Sequence, residues 1–123
     1  MANELTLQGL RITLVKSGMP AVDITADTDQ ITVSGTQYMD NVQAIGITEE
    51  AVLLGDVAVG GYWFVQNMDS TNFVSLRSGT GATNFIKLLA GEWAIFRVGA
   101  DASAPFAIAD TGACNVRFLR FDL

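Results

Sequence analysis

Apolar residues along this chain recur mainly at every second position, in short runs divided by turn-forming residues. That is the period of a half-buried β-strand, and no stretch holds the helical period for three turns. Leu5 and Leu7 alternate with polar neighbours, then Leu10, Ile12 and Leu14 alternate in the opposite phase. Gly9 stands at the switch, which predicts a bulge or bend in a long first strand. Ser17-Gly18-Met19-Pro20 predicts its closing turn. Val22 and Ile24 form a short second strand, closed by the polar stretch 25–30. Ile31 and Val33 open a third, which breaks at Ser34-Gly35. Tyr38 and Met39 precede a further turn at Asp40-Asn41, and residues 42–47 are extended again. In 48–55, Thr48 could cap one helical turn that Gly55 stops, but the segment is short and favours a strand or a single turn.

The stretch from Gly60 to Leu76 is the centre of the pattern. Residues 62–66 and 73–76 read as strands of a hairpin, joined by the polar turn Asn67-Met68-Asp69-Ser70-Thr71-Asn72. Trp63 and Val65 fall on one face of the first strand, Tyr62 and Phe64 on the other. Both faces are apolar, so the strand is expected to be covered on both sides, by a second sheet or by another subunit. Further strands are predicted at 85–89 and 93–98 about the turn Ala90-Gly91-Glu92, and at 106–109 and 115–121. Turn signals spaced by roughly 8–12 residues predict an all-β, single-domain β-sandwich, jelly-roll-like, of about eight strands. It spans 1–123, with 1–8 either its first strand or an N-terminal arm.

Composition adds a surplus of apolar residues. Half the chain is hydrophobic and 16% is charged, against about 25% charged in ordinary soluble domains. No run approaches the ~18 apolar residues of a membrane span. Met1-Ala2-Asn3-Glu4 lacks the basic flank and apolar block of a signal peptide. The surplus therefore points to contact between subunits. The net charge of −6, with seven scattered Lys and Arg, argues against nucleic acid as a partner. The chain has no histidine and one cysteine, which removes the commonest general base and excludes an intrachain disulfide or a Cys-pair zinc site. No catalytic site, metal or cofactor is expected.

The individual motifs agree. Gly79-Thr80-Gly81-Ala82-Thr83-Asn84 precedes a strand, whereas a phosphate loop opens a helix. Asn67, Asp69 and Asn72 offer too few carboxylates for calcium and suit a turn closed by its own side chains. Glu49, Glu50, Asp23, Asp27, Asp29 and Asp110 read as loop or turn acids. Cys114 has no histidine to activate it and reads as a small buried residue. Tyr62, Trp63 and Trp93 could form a sugar platform, but aromatics on strands more often serve core and subunit contact.

The run Gly61-Tyr62-Trp63-Phe64-Val65-Gln66-Asn67-Met68-Asp69-Ser70-Thr71-Asn72-Phe73-Val74, the turn Leu89-Ala90-Gly91-Glu92, the strand 93–97 ending in Arg97, Ala2-Asn3-Glu4-Leu5-Thr6-Leu7 and Thr48-Glu49-Glu50-Ala51 together resemble small virion proteins of tailed bacteriophages. The resemblance implies a structural component, most like a head decoration, or cement, protein. Such a protein is made in the bacterial cytoplasm and sits on the outer head surface. Its partners would be the major capsid protein and further copies of itself, as a trimer. Leu5, Leu7, Tyr62 and Phe64 are then the candidate capsid or subunit contacts. A tail or baseplate component is the alternative within virions, and a carbohydrate-binding module the alternative outside them.

Overall fold

The computed structural model describes residues 4–25, 29–33 and 35–122. Every regular element among them is a β-strand, twelve in all, as the alternation predicts. The chain divides into two compact units, Met1–Ser34 and Gly35–Leu123.

The first unit is a two-stranded ribbon. Strand β1 (Glu4–Leu7) pairs antiparallel with β4 (Asp29–Thr32), and β2 (Arg11–Leu14) pairs with β3 (Val22–Thr25). Leu7 faces Asp29 and Arg11 faces Thr25. The pairing therefore runs on without offset, and the two ladders belong to one hairpin. Gly9, at φ 76°, marks a bend between β1 and β2 rather than a net insertion. The predicted turn closes the ribbon: Met19 N donates to Lys16 O at 3.1 Å, and Gly18 takes φ 80°. The polar stretch 25–30 is not wholly a connection, since Asp29 and Gln30 open β4. Residues 26–28 lie outside the described residues. So do residues 1–3 of the expected arm and Ser34 of the expected Ser34-Gly35 break.

The second unit is the sandwich. Its strands are β5 (Tyr38–Ile45), β6 (Glu50–Ala51), β7 (Gly61–Asn67), β8 (Val74–Arg77), β9 (Asn84–Leu88), β10 (Trp93–Val98), β11 (Phe106–Ala109) and β12 (Cys114–Phe121). One sheet has the order β10-β7-β12-β5 and the other β9-β8-β11-β6, with every pair antiparallel. The orders correspond: each strand of one sheet is matched by its neighbour in sequence in the other. That is the jelly-roll arrangement, in which nearly every connection crosses between sheets. Among the strands of this unit, consecutive strands pair as a hairpin only at β8 and β9.

Two sequence expectations about this unit are corrected. The segments 62–66 and 73–76 are strands but not a hairpin, because β7 and β8 belong to different sheets. The turn between them is an arch over the end of the sandwich, pinned by Asn67. This residue is fully buried. Its Nδ2 donates to the carbonyls of Asn72 (2.9 Å), Leu88 (3.1 Å) and Leu89 (3.2 Å), while its Oδ1 accepts from Asp69 N at 3.0 Å. Its backbone N–H reaches Glu92 O at 2.9 Å, and Gly91 N returns to its carbonyl at 3.0 Å. One side chain thus ties together two of the crossings. The second correction concerns Asp40-Asn41, which lies inside β5, paired to Leu119 and Phe118 of β12. Eight continuous cross-strand pairs with β12 override the local turn preference of these two residues.

The core lies between the sheets. Trp63, Val65, Val116, Phe118 and Ile45 come from one side and Val74, Leu76, Leu88 and Ala107 from the other, all buried. Trp63 stacks on Phe96 at 6.3 Å, meets the edge of Phe118 at 6.4 Å, and donates Nε1 to Val59 O at 3.1 Å. At the head of β7, Gly61 takes φ 143°, and a Cβ there would strike the Phe121 carbonyl oxygen. Only glycine fits where β7 begins beside β12.

Candidate interaction surface

Alternation along a strand sends successive side chains to opposite faces. Trp63, Val65 and Asn67 point into the core, so Tyr62, Phe64 and Gln66 point out. The registers extend this face across all four strands. One row reads Arg97, Tyr62, Phe121, Tyr38; the next Ile95, Phe64, Leu119, Asp40; the third Trp93, Gln66, Arg117, Val42. Eight of these twelve positions are large and apolar or aromatic. The border residues are the most open: Tyr38 is 71% exposed, Val42 54% and Trp93 53%. Tyr62, Phe64, Leu119 and Phe121 fill the centre and are half-buried. The other sheet differs on its outer side, where Ser75, Arg77 and Lys87 interrupt Phe106 and Ile108.

The charges of the apolar face are largely spent. Arg117 grips Asp40 with both ends of its fork, Nε to Oδ1 at 3.0 Å and Nη2 to Oδ2 at 2.7 Å. The guanidinium holds the Asp40 carboxyl below the usual carboxylate range. Arg97 lies over the Tyr62 ring at 5.0 Å, a cation–π contact. Two arginines against one aspartate leave +1 here, in a chain of net charge −6. Phe64 and Trp93 touch at 5.8 Å between ring centroids, which ties the border to the centre. Contiguous apolar faces of this kind on small proteins mark contact surfaces.

The sequence candidates distribute as follows. Tyr62 and Phe64 sit at the middle of this face. Leu5 and Leu7 are half-buried on β1, where Leu5 faces Ile31. The ribbon also carries an open apolar face at its far end: Ile12 opposite Ile24 and Leu14 opposite Val22, between 37% and 53% exposed. The opposite side of that ribbon holds the Arg11–Asp23 ion pair at 2.7 Å. Trp63 is 1% exposed, so the platform of Tyr62, Trp63 and Trp93 does not assemble: Trp63 faces the core. Sequence reasoning missed Tyr38, Val42, Ile95, Leu119 and Phe121. Each lies in an alternating run, but only the cross-strand register brings them to one surface.

The remaining motifs are structural. Asp69 Oδ2 accepts from Thr71 N at 2.9 Å and Asn72 N at 2.6 Å, closing the arch. Glu49 binds Arg77 Nη1 at 2.8 Å, Thr80 Oγ1 at 3.0 Å and Gly81 N at 2.8 Å, which fastens the 78–83 loop. The Arg77 guanidinium first, then the Gly81 N–H and Thr80 hydroxyl, hold the Glu49 carboxyl below its ordinary range, and the Asn72 and Thr71 N–H groups do the same for Asp69. A carboxylate depressed by folding contributes stability that is present above its unfolded pKa and is lost as pH falls through the folded value. The denaturation midpoint is therefore expected to drop as pH falls below about 4, and Glu49→Gln should flatten that drop in a urea titration repeated across pH. Cys114 is fully buried. Burial, then the charges of Asp69 and Asp110, push its thiol up. Ellman's reagent should leave the folded protein unlabelled and react with one thiol per chain after denaturation.

No family model matches the chain, and no curated protein or solved structure matches it.

Proposed function

We propose that this chain is a structural subunit of a tailed-phage particle, a head decoration or cement protein that docks on the outer surface of the mature shell and bridges capsid subunits. The observation that carries the reading is the apolar outer face of the β10-β7-β12-β5 sheet. Four strands about 4.8 Å apart and three outward positions about 6.8 Å apart give a plane of roughly 400 Å². That is about half the footprint of a standard interface partner. One such contact is weak, so several must act together. The ribbon adds a second apolar face, on a separate unit. A subunit with two docking faces can link two neighbours, and each further link raises the effective concentration for the next. Binding the assembled shell but not its free subunits stabilises the shell by mass action. The major capsid protein and further copies of this chain are the partners, and the reading requires no catalytic group.

Co-sedimentation with heads that lack the protein tests it. Saturable binding to expanded heads, at a ratio that matches symmetry axes, is the expected result. Binding to tails and not to heads would replace it with a tail or baseplate role.

A further inference from the structure

A sheet edge presents unpaired backbone N–H and C=O groups, and native sandwiches blunt such edges with charge, proline, bulges or very short strands. The two sandwich sheets end on β10, β5, β9 and β6. Strand β6 is two residues long. Strand β9 has a register shift opposite Leu76/Arg77 and carries the exposed Lys87. Strand β5 is interrupted by Asp40, Asn41 and Gln43. Strand β10 differs: it is apolar from Trp93 to Phe96, and all six of its residues pair with β7 without a shift. We propose that the free edge of β10 pairs antiparallel with the same strand of a second copy, about a two-fold axis at Ile95.

The backbone fixes which groups are free. Asn67 N donates to Glu92 O at 2.9 Å, so the Glu92 carbonyl faces β7. Bonding direction alternates along a strand. Trp93, Ile95 and Arg97 therefore aim their N–H and C=O groups away from β7, and no backbone group among the described residues bonds them. Pairing odd residues with odd residues keeps the two apolar sides together. Centred on Ile95, Trp93 of one copy lies opposite Arg97 of the other, so all three free residues are used, for about six backbone bonds. A shift of two residues either way loses one of the three pairs. The register is also self-complementary in its side chains. Outward, Ile95 meets Ile95, and the exposed Trp93 ring meets Arg97, which lies over Tyr62 at 5.0 Å and has no anionic partner among the described residues. Inward, Ala94 lies across from Phe96, small against large. No like charges face each other. The pairing joins the apolar outer faces of two copies into one eight-stranded sheet, and it does not depend on the virion reading.

Sedimentation equilibrium of the full chain tests the pairing. An edge contact of this size belongs to the weak class of interface, so half-dimerisation is expected at on the order of 10–100 µM. Residue 95 faces its own copy, so Ile95→Lys and Ile95→Glu each set like charges directly opposite. Each variant alone should dimerise at least tenfold more weakly, and an equimolar mixture of the two should recover a one-to-one dimer. Val42→Glu, on β5 at the far border of the same outer face, should leave association unchanged, whereas a stack of two outer faces would lose it. Residue-resolved amide exchange reads the wild type directly. Ala94, Phe96 and Val98 should be protected at every concentration, and Trp93, Ile95 and Arg97 only in the dimer. A wild-type chain still monomeric at about 1 mM, a mixture that stays monomeric, or a dimer whose Trp93, Ile95 and Arg97 amides exchange freely would overturn the proposal.

Discussion

Replacing Asn67 by leucine is expected to remove a large part of the stability of the sandwich. The side chain fits the space but donates nothing, so the carbonyls of Asn72 and Leu88 lose this donor, Asp69 N loses its acceptor, and the Leu89 carbonyl keeps only Glu92 N at 3.0 Å. Each buried polar group left unpaired costs roughly 1–3 kcal/mol. Partial relaxation at the surface end of the arch brings the sum to about 4 kcal/mol, against the 5–15 kcal/mol that holds a typical domain folded. Chemical denaturation of wild type and variant measures it directly. Asn67→Asp should be at least as damaging, because a buried carboxylate would face two or three carbonyl oxygens. A loss below about 1 kcal/mol would mean that the arch is held by its backbone pairings alone. The control is Met68→Ala: Met68 is 53% exposed and follows the same arch, yet should cost little.

The double variant Trp93→Ala, Ile95→Glu is expected to bind heads at least about 100-fold more weakly than wild type while melting within a few degrees of it. Trp93 is 53% and Ile95 37% exposed, so neither carries much of the core. Trp is the residue type most enriched among contacts worth 2 kcal/mol or more. A glutamate on the edge strand β10, beside Phe64, adds an unpaired charge to the apolar surface that any partner must desolvate. Co-sedimentation across a concentration series gives the affinity, and circular dichroism confirms the fold. Undiminished binding would move the docking surface away from this sheet, and the ribbon variant Ile12→Glu, Ile24→Glu would then be the next to test.

The strands themselves were legible because a strand is a local object. Two-residue alternation with Gly, Asn and Asp between runs places seven of the eight sandwich strands to within a few residues, reads Asp40-Asn41 inside β5 as a turn, and leaves 48–55, which holds β6, open between a strand and a single turn. Cross-strand bonds to β12, distant in sequence, hold Asp40-Asn41 extended. The apolar surplus was legible as well, and so was its assignment of Tyr62 and Phe64 to the side of β7 away from Trp63. Alternation alone determines which residues of one strand share a face.

What alternation cannot determine is which strands lie side by side. The polar stretch after β7 reads equally well as a hairpin turn and as an arch, since both need the same turn-forming residues. The choice falls to Asn67, whose partners at Leu88 and Leu89 are more than twenty residues away. Sheet membership in turn decides the surface. Trp93 from β10, Phe64 from β7, Leu119 from β12 and Val42 from β5 become neighbours only once four registers are set. The sequence by itself determined a β-sandwich with more apolar surface than its core requires. The tertiary structure decided where that surplus goes, because long-range pairing and core burial, not local preference, choose between a hairpin and a crossing.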